Sequence, residues 1–322
     1  MLTVRDLCVD FQTASGSVRA LDHINFTVAA GEMLGIVGES GCGKSVLARA
    51  IMRLLRSPPA TITAGELRLG DIDLVDQDEA RMRELRGRVV SMVFQEPMTA
   101  LNPKFSVGNQ ISEIFTTHFS MSRADAMRRS VDMLRMVGIP DPETRVHSYP
   151  FQMSGGMRQR VVIAMALAGE PQLVLADEPT TALDVTIQAQ ILDLIRDLNT
   201  RLGTSMILIT HDLGVVAETV SKVIVMYAGQ IVEMSTTRAL FENPLHPYTL
   251  GLHRSIPDMA GTATRDQGPL PEIPGSVPSL DRLPHGCYFQ GRCPHRMKIC
   301  EERQPPFTEV TPGHSARCWL HA

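Results

Sequence analysis

Eight residues near the N-terminus carry the pattern that phosphate chemistry asks for. Gly38-Glu39-Ser40-Gly41-Cys42-Gly43-Lys44-Ser45 follows the apolar run Met33–Val37 and precedes a helical stretch, Val46–Leu55. Strand, glycine-rich loop and helix in that order make an anion cradle. Glycines let the backbone bend sharply and approach an anion without a Cβ in the way. The N–H groups from Gly38 to Val46 then point at phosphate oxygens, with a helix N-terminus behind them. Lys44 is placed to reach the β and γ phosphates of a nucleotide, and the Ser45 hydroxyl to bind Mg²⁺. Cys42 reads as a small residue filling a loop position.

A second apolar run, Leu173–Ala176, ends in two acids, Asp177 and Glu178. The ends of parallel strands are where open α/β sheets bind ligands. Taken alone, the acid pair reads as a solvated strand end. Joined to the phosphate loop, Asp177 becomes a candidate Mg²⁺ ligand, and Glu178, pointing the other way, a candidate base for the attacking water. His211 follows a third apolar run, Met206–Ile209, and lies where a side chain could meet the γ-phosphate.

A third set is chemically distinct. Four of the six cysteines fall in the last 36 residues, at 287, 293, 300 and 318. In a reducing compartment such a group reads as metal binding before disulfide formation. Structural zinc sites usually hold a tight cysteine pair, and none is present. Four thiolates in a loop-like segment fit a [4Fe–4S] cluster, with zinc, or no metal, as alternatives. His285, His295 and His314 nearby read as surface residues. Cys8 reads as a small core residue on a first strand.

The elements that must hold these residues are legible as periodicities. Met33–Val37, Val89–Phe94, Leu173–Ala176, Met206–Ile209 and Val223–Met226 are short continuous apolar runs, as expected of central strands covered on both faces. Ile187, Ile191, Leu194, Leu198 and Leu202 predict one face of a helix starting at Asp184 or Thr186. Met127, Val131, Leu134 and Val137 predict another, with Ser122 and Asp125 as its capping pair and Gly138 as its stop. From Pro244 onward the texture changes: 12 of the 21 prolines lie in the last 79 residues, which predicts an irregular tail and not a compact α/β layer.

Charge and composition exclude other classes. The formal net charge is −4, so no general basic bias toward nucleic acid exists. The N-terminal segment has charges and no apolar core, unlike a secretory signal. The longest apolar run, Val161–Ala168, is far short of a membrane span. The expectation is a cytosolic chain whose membrane role, if it has one, comes through partners.

Ser154-Gly155-Gly156-Met157-Arg158-Gln159, in order with the two phosphate motifs, resembles the signature of ABC ATPases, with Met153 and Met157 in place of the usual Leu and Gln. Ser154 and the glycine amides would cap a helix whose positive end faces an anion. The resemblance implies that this anion is the γ-phosphate held by an opposite subunit. It also implies that Gln95 links Mg²⁺ to a helical subdomain, that Ala182-Leu183-Asp184 crosses a dimer interface, and that His211 is the switch histidine. Phe11 is either a core residue or, by the resemblance, the aromatic that stacks on adenine. Glu96 to Pro103 resembles the stretch that docks on membrane subunits. Asn243-Pro-Leu-His-Pro-Tyr-Thr249 resembles the segment marking ATPases of dipeptide and oligopeptide importers, a family whose cysteine pattern holds a [4Fe–4S] cluster.

The resemblance covers the whole chain and implies an α/β fold of ABC-type P-loop NTPase class. It comprises a mostly parallel sheet, an antiparallel β subdomain and a helical subdomain near 96–157, all within residues 1–235. A metal-stapled, irregular region would fill 236–322. The implied partners are a second nucleotide-binding subunit, two integral membrane permease subunits and an external peptide-binding protein, with no nucleic acid. The implied place is the cytoplasmic face of the inner membrane, as a peripheral protein. Nickel or another small solute is the alternative cargo. A soluble ABC ATPase acting on nucleic acid or ribosomes is the alternative class.

Overall fold

The computed structural model describes residues 1–14, 16–181, 183–255 and 273–322. Its backbone is one eight-stranded sheet with a smaller antiparallel sheet beside it. The large sheet runs in the order Thr308–Thr311, His314–Ala316, Gln230–Thr236, Lys222–Tyr227, Met33–Val37, Ser205–Thr210, Leu173–Asp177, Val90–Val93. From Lys222–Tyr227 through Val90–Val93 all pairings are parallel. These five strands are the five apolar runs of the sequence.

Their continuous apolarity has a direct cause. Side chains alternate between faces, and both faces are covered. Leu173, Leu175, Ile207, Ile209, Ile224 and Met226 enter one core; Val174, Ala176, Met206, Leu208, Val223 and Val225 enter the other. The first core is closed by helix Lys44–Ile51 and by the antiparallel sheet, in which Leu2–Thr13 pairs with Gly16–Val28, Ala60–Thr63 and Glu66–Leu69. The second is closed by the helical layer, including Val107–Phe119, Arg123–Met136, Gly155–Leu167 and Val185–Leu202. Helix Gly155–Leu167 is buried on nearly every side, which is why it holds the longest apolar run. Cys8 is buried, as expected of a core residue.

Both predicted helices form, and of the expected apolar residues all but Leu202 lie in or against the core. In Arg123–Met136 the buried residues are Ala126, Ser130, Met133 and Leu134, while Met127 and Val131 are only partly covered. Ser130 can be fully buried because its hydroxyl donates to the Ala126 carbonyl at 2.8 Å. Ser122 caps this helix through the Asp125 N–H, and Gly138 follows its end at φ 72°. In Val185–Leu202 the buried residues are Ile191, Leu192, Ile195 and Leu198; Leu202 is exposed. Asp184 is its cap, accepting from the Ile187 N–H at 2.9 Å.

The tail departs most from expectation. Its strands extend the large sheet: His314–Ala316 pairs with Gln230–Thr236, and Thr308–Thr311 adds the edge strand, so the sheet runs across residue 235. Glu233, fully buried, organises this junction. Its carboxylate accepts from the Leu245 and His246 N–H groups, both at 2.8 Å, and meets His314 Nε2 at 2.7 Å. His314 is thus a buried partner and not a surface residue. His285 and His295 are exposed, as expected. Burial pushes His246 down to about 3, so its neutral ring accepts from the Tyr248 N–H at 3.1 Å and caps helix Pro247–Arg254. No helix among the described residues is long and apolar enough to cross a membrane.

Candidate functional site

The phosphate loop leaves strand Met33–Val37 at the C-terminal edge of the parallel sheet, and helix Lys44–Ile51 starts inside the motif, before the expected Val46. Two glycines are required by geometry. A Cβ on Gly38 would lie 2.3 Å from the Met226 carbonyl oxygen, and Gly43 sits at φ 106°. Cys42 is fully buried, filling the loop's interior. Lys44 is buried too, and its ammonium donates to the Gly38 carbonyl at 2.6 Å and the Glu39 carbonyl at 3.0 Å.

Asp177 ends the neighbouring-but-one strand on the face shared by Leu173 and Leu175, the same face that helix Lys44–Ile51 covers. That register brings Ser45 Oγ to donate to Asp177 Oδ1 at 3.1 Å. Burial raises the Asp177 carboxyl above its ordinary value, partly offset by the Ser45 hydrogen bond. A cation at this point would offset the same cost of burying charge.

Glu178 steps off the strand into the left-handed region at φ 46°, a conformation that costs about 1–2 kcal/mol for a residue with a Cβ. Its N–H donates to the Ile209 carbonyl at 2.9 Å. Its carboxylate is the hub of the site. Gln95 Nε2 donates to Oε2 at 2.9 Å, Thr181 Oγ1 donates to the same atom at 2.8 Å, and His211 Nδ1 lies 3.3 Å from it. Ser40, Gly41, Gly43, Lys44, Ser45, Val46, Gln95 and Glu178 share one open cavity, to which Leu280 of the tail contributes. A glycine-walled cleft with Lys44, Gln95 and Glu178 in its lining, Asp177 bonded to Ser45 behind it and His211 beside Glu178, can hold a polyphosphate and a water beside it.

Thr181 is the residue that the sequence reading missed. It lies three residues after Glu178 in a Pro-Thr-Thr turn, a composition with no functional signal of its own. Phe11 does not line this cavity. It packs, half buried, against the core beneath the antiparallel sheet.

Ser154, Gly155, Gly156 and Met157 also lie away from the cavity and reach the surface at the start of helix Gly155–Leu167. Ser154 caps that helix, its Oγ accepting from the Met157 N–H at 3.3 Å. Gly156 is needed for close packing, because a Cβ there would lie 2.7 Å from Ile187 Cγ2. The serine-glycine turn and the Asp184-capped helix are thereby held side by side, with Leu183 3.6 Å from a Cβ built on Gly155. Ala182 lies outside the described residues.

The four tail cysteines surround one small void, together with Phe289, Met297, Trp319 and Leu320. Burial, with the neighbouring thiols, pushes Cys287 up to about 11, and burial raises Cys293 and Cys318 as well. Among the described residues, the one group of three ligand atoms all within 4.8 Å of one another is Asp6, Cys8 and His23, at the base of the antiparallel sheet. The tail thiols share one void without any three of their sulfurs all lying within 4.8 Å of one another.

Comparison with known proteins agrees with this geometry. The ABC transporter family model matches residues 21–181, and the model of the oligopeptide/dipeptide transporter C-terminal region matches 232–300. A probable peptide ABC transporter ATP-binding protein of Sinorhizobium fredii is 54% identical over 320 residues, covering 99% of this chain and 94% of its own. The oligopeptide transport ATP-binding protein OppD of Bacillus subtilis is 49% identical over 320 residues, covering 99% of this chain and 88% of its own. Among solved structures, the ATP-binding cassette MJ0796, a dimer with ADP and Pi, superposes with a TM-score of 0.66 at 28% identity, over 74% of this chain and 99% of the cassette. A strand-loop-helix cradle, the two acids beside it and these full-length relatives together make the chain an ATP-binding ATPase of the ABC transporter family, with the C-terminal region of the oligopeptide/dipeptide group.

Proposed function

We propose that the chain is one of two nucleotide-binding subunits that power import of dipeptides or oligopeptides. The observation that carries the reading is the separation of the two halves of the site. The phosphate loop and Glu178 lie in one cavity, while the Ser154 turn opens elsewhere on the surface of the same chain. A head-to-tail pair completes each half with the other's, so that MgATP lies between Lys44 of one subunit and the Ser154-capped helix of the next. The partner is a second copy or a related chain.

In this reading Lys44 and the loop amides other than Glu39's, which donates to Tyr248, bind the phosphates, and Ser45, Asp177 and Gln95 hold the Mg²⁺ of the substrate. Glu178 takes a proton from the attacking water, with Gln95, Thr181 and His211 fixing its carboxylate. Phosphoryl transfer draws mainly on such positioning and charge. Phe11, on the central strand of the antiparallel sheet between Val18 and Ala60, serves the adenine only if the nucleotide base reaches that sheet. Exposed Phe94, Met98, Phe105 and Phe151 form an apolar fringe on the helical layer, which suits docking on two membrane permeases. That arrangement puts the subunit at the cytoplasmic face of the membrane, with a peptide-binding protein on the other side. Relatives named as peptide, oligopeptide and dipeptide transport ATP-binding proteins support the cargo.

Cys287, Cys293, Cys300 and Cys318 would hold a [4Fe–4S] cluster, supported by four thiols that line one void in a segment without a tight cysteine pair. Such a cluster would staple a tail with few apolar runs of its own.

The test is Glu178→Gln in the assembled transporter. ATP binding is expected to persist and to hold the two subunits together, while turnover falls by about 10²–10⁴-fold. Unchanged turnover would remove Glu178 from the role of base.

A further inference from the structure

The second residue of the phosphate loop is gripped by the tail. Glu39 is acidic, and it stands in a loop built to receive anions. Its carboxylate is met by Arg292, whose Nη1 and Nη2 donate at 2.6 and 3.0 Å in a fork. The Arg292 side chain is 6% exposed and that of Glu39 31%, so the guanidinium is buried while the carboxylate keeps part of its contact with water. The guanidinium lies 5.8 Å from the Tyr227 ring centre and 6.0 Å from that of Phe289, and donates to the Pro274 and Ile273 carbonyls. The Glu39 N–H donates to the hydroxyl of fully buried Tyr248 at 2.8 Å. Tyr227, Tyr248 and Phe289 pack edge to face, with centres 4.7–5.5 Å apart.

Glu39 is thus held at its N–H and its carboxylate by residues that start more than two hundred positions away. Its carbonyl, in turn, accepts from the Lys44 ammonium. Each grip has its own consequence. The Tyr248 bond fixes where the carbonyls that aim Lys44 point. The Arg292 fork pairs a negative charge carried by the phosphate loop itself.

We infer that Arg292 and Tyr248 are positioning residues of the nucleotide site, through which the tail sets the affinity of the phosphate loop for ATP. The inference rests on ATP binding at that loop, and is independent of what the four cysteines hold. Arg292 directly precedes Cys293, and Phe289 lines the thiol void. Any change in that void therefore acts next to the grip.

The test is equilibrium binding of a fluorescent ATP analogue to the full chain, with wild-type binding as the control. Arg292→Met leaves Glu39 charged and unpaired, and its Kd is expected to rise about tenfold. Glu39→Gln added to Arg292→Met removes that charge and is expected to bring Kd back to within about threefold of wild type. Tyr248→Phe deletes one hydroxyl and keeps the aromatic packing, so it reports even if Arg292→Met does not fold. Its Kd should rise about fivefold, and in the assembled transporter KM for ATP should rise with kcat unchanged. A lowered melting temperature with unchanged Kd in these variants would overturn the inference. So would an Arg292→Met defect that Glu39→Gln leaves in place, since a purely structural loss is not repaired by removing a charge.

Discussion

The parallel core and the tail reach order by opposite means. In the core, five strands bury apolar side chains on both faces, and every strand supplies both hydrophobic layers. Burial at roughly 25 cal/mol per Å² is spread over dozens of residues. The tail has short elements, and its junctions are single polar points: Glu233 with His314, Glu39 with Arg292 and Tyr248, four thiols around a void. A spread-out core loses a little with each change. A region held by points loses a junction at once. The phosphate cavity sits where the two meet, since Leu280 of the tail lines it.

Four changes sharpen this contrast, from the largest effect to the smallest. Glu178→Gln touches chemistry alone: turnover falls by about 10²–10⁴-fold while both regions stay folded by thermal melting. Leu208→Ala, in the middle of the parallel sheet, is expected to cost about 2–5 kcal/mol and to lower every unfolding probe together. Glu233→Ala orphans two N–H groups and His314 at a buried junction. A net cost of about 1–3 kcal/mol should fall on the tail, seen as early proteolysis beyond residue 236 with the core intact. If core and tail instead melt as one unit in this variant, the contrast is wrong. Ser122→Ala removes one helix cap on the far side of the molecule and should cost about 1 kcal/mol with no change in nucleotide binding.

The same contrast decides what could be read from the sequence. The parallel strands, the phosphate loop, the acid pair and the Ser154 turn are local patterns, and each lies where its spacing predicts. Helix faces were less legible. Ser130 is a polar residue that is wholly buried because a carbonyl one turn back satisfies it, and it widens the Arg123–Met136 face beyond its apolar stripe. Leu202 is apolar and exposed because it sits at the last turn, beyond the cover of the core. The tail was least legible, since its anchors pair residues that are 81, 209 and 253 positions apart. Nothing near His314 signals that Glu233 will meet it. Thr181 is a milder case, close in sequence to Glu178 but typical in composition of any turn.

The central claim is that ATP hydrolysis at this loop drives peptide import through a paired subunit. The most direct measurement is ATP turnover by the transporter reconstituted in vesicles with its permeases, with and without peptide-loaded binding protein outside. Turnover is predicted to rise when the loaded binding protein is added, with labelled peptide accumulating inside, and Glu178→Gln should abolish both. Turnover indifferent to the loaded binding protein, with no peptide accumulating, would contradict the claim.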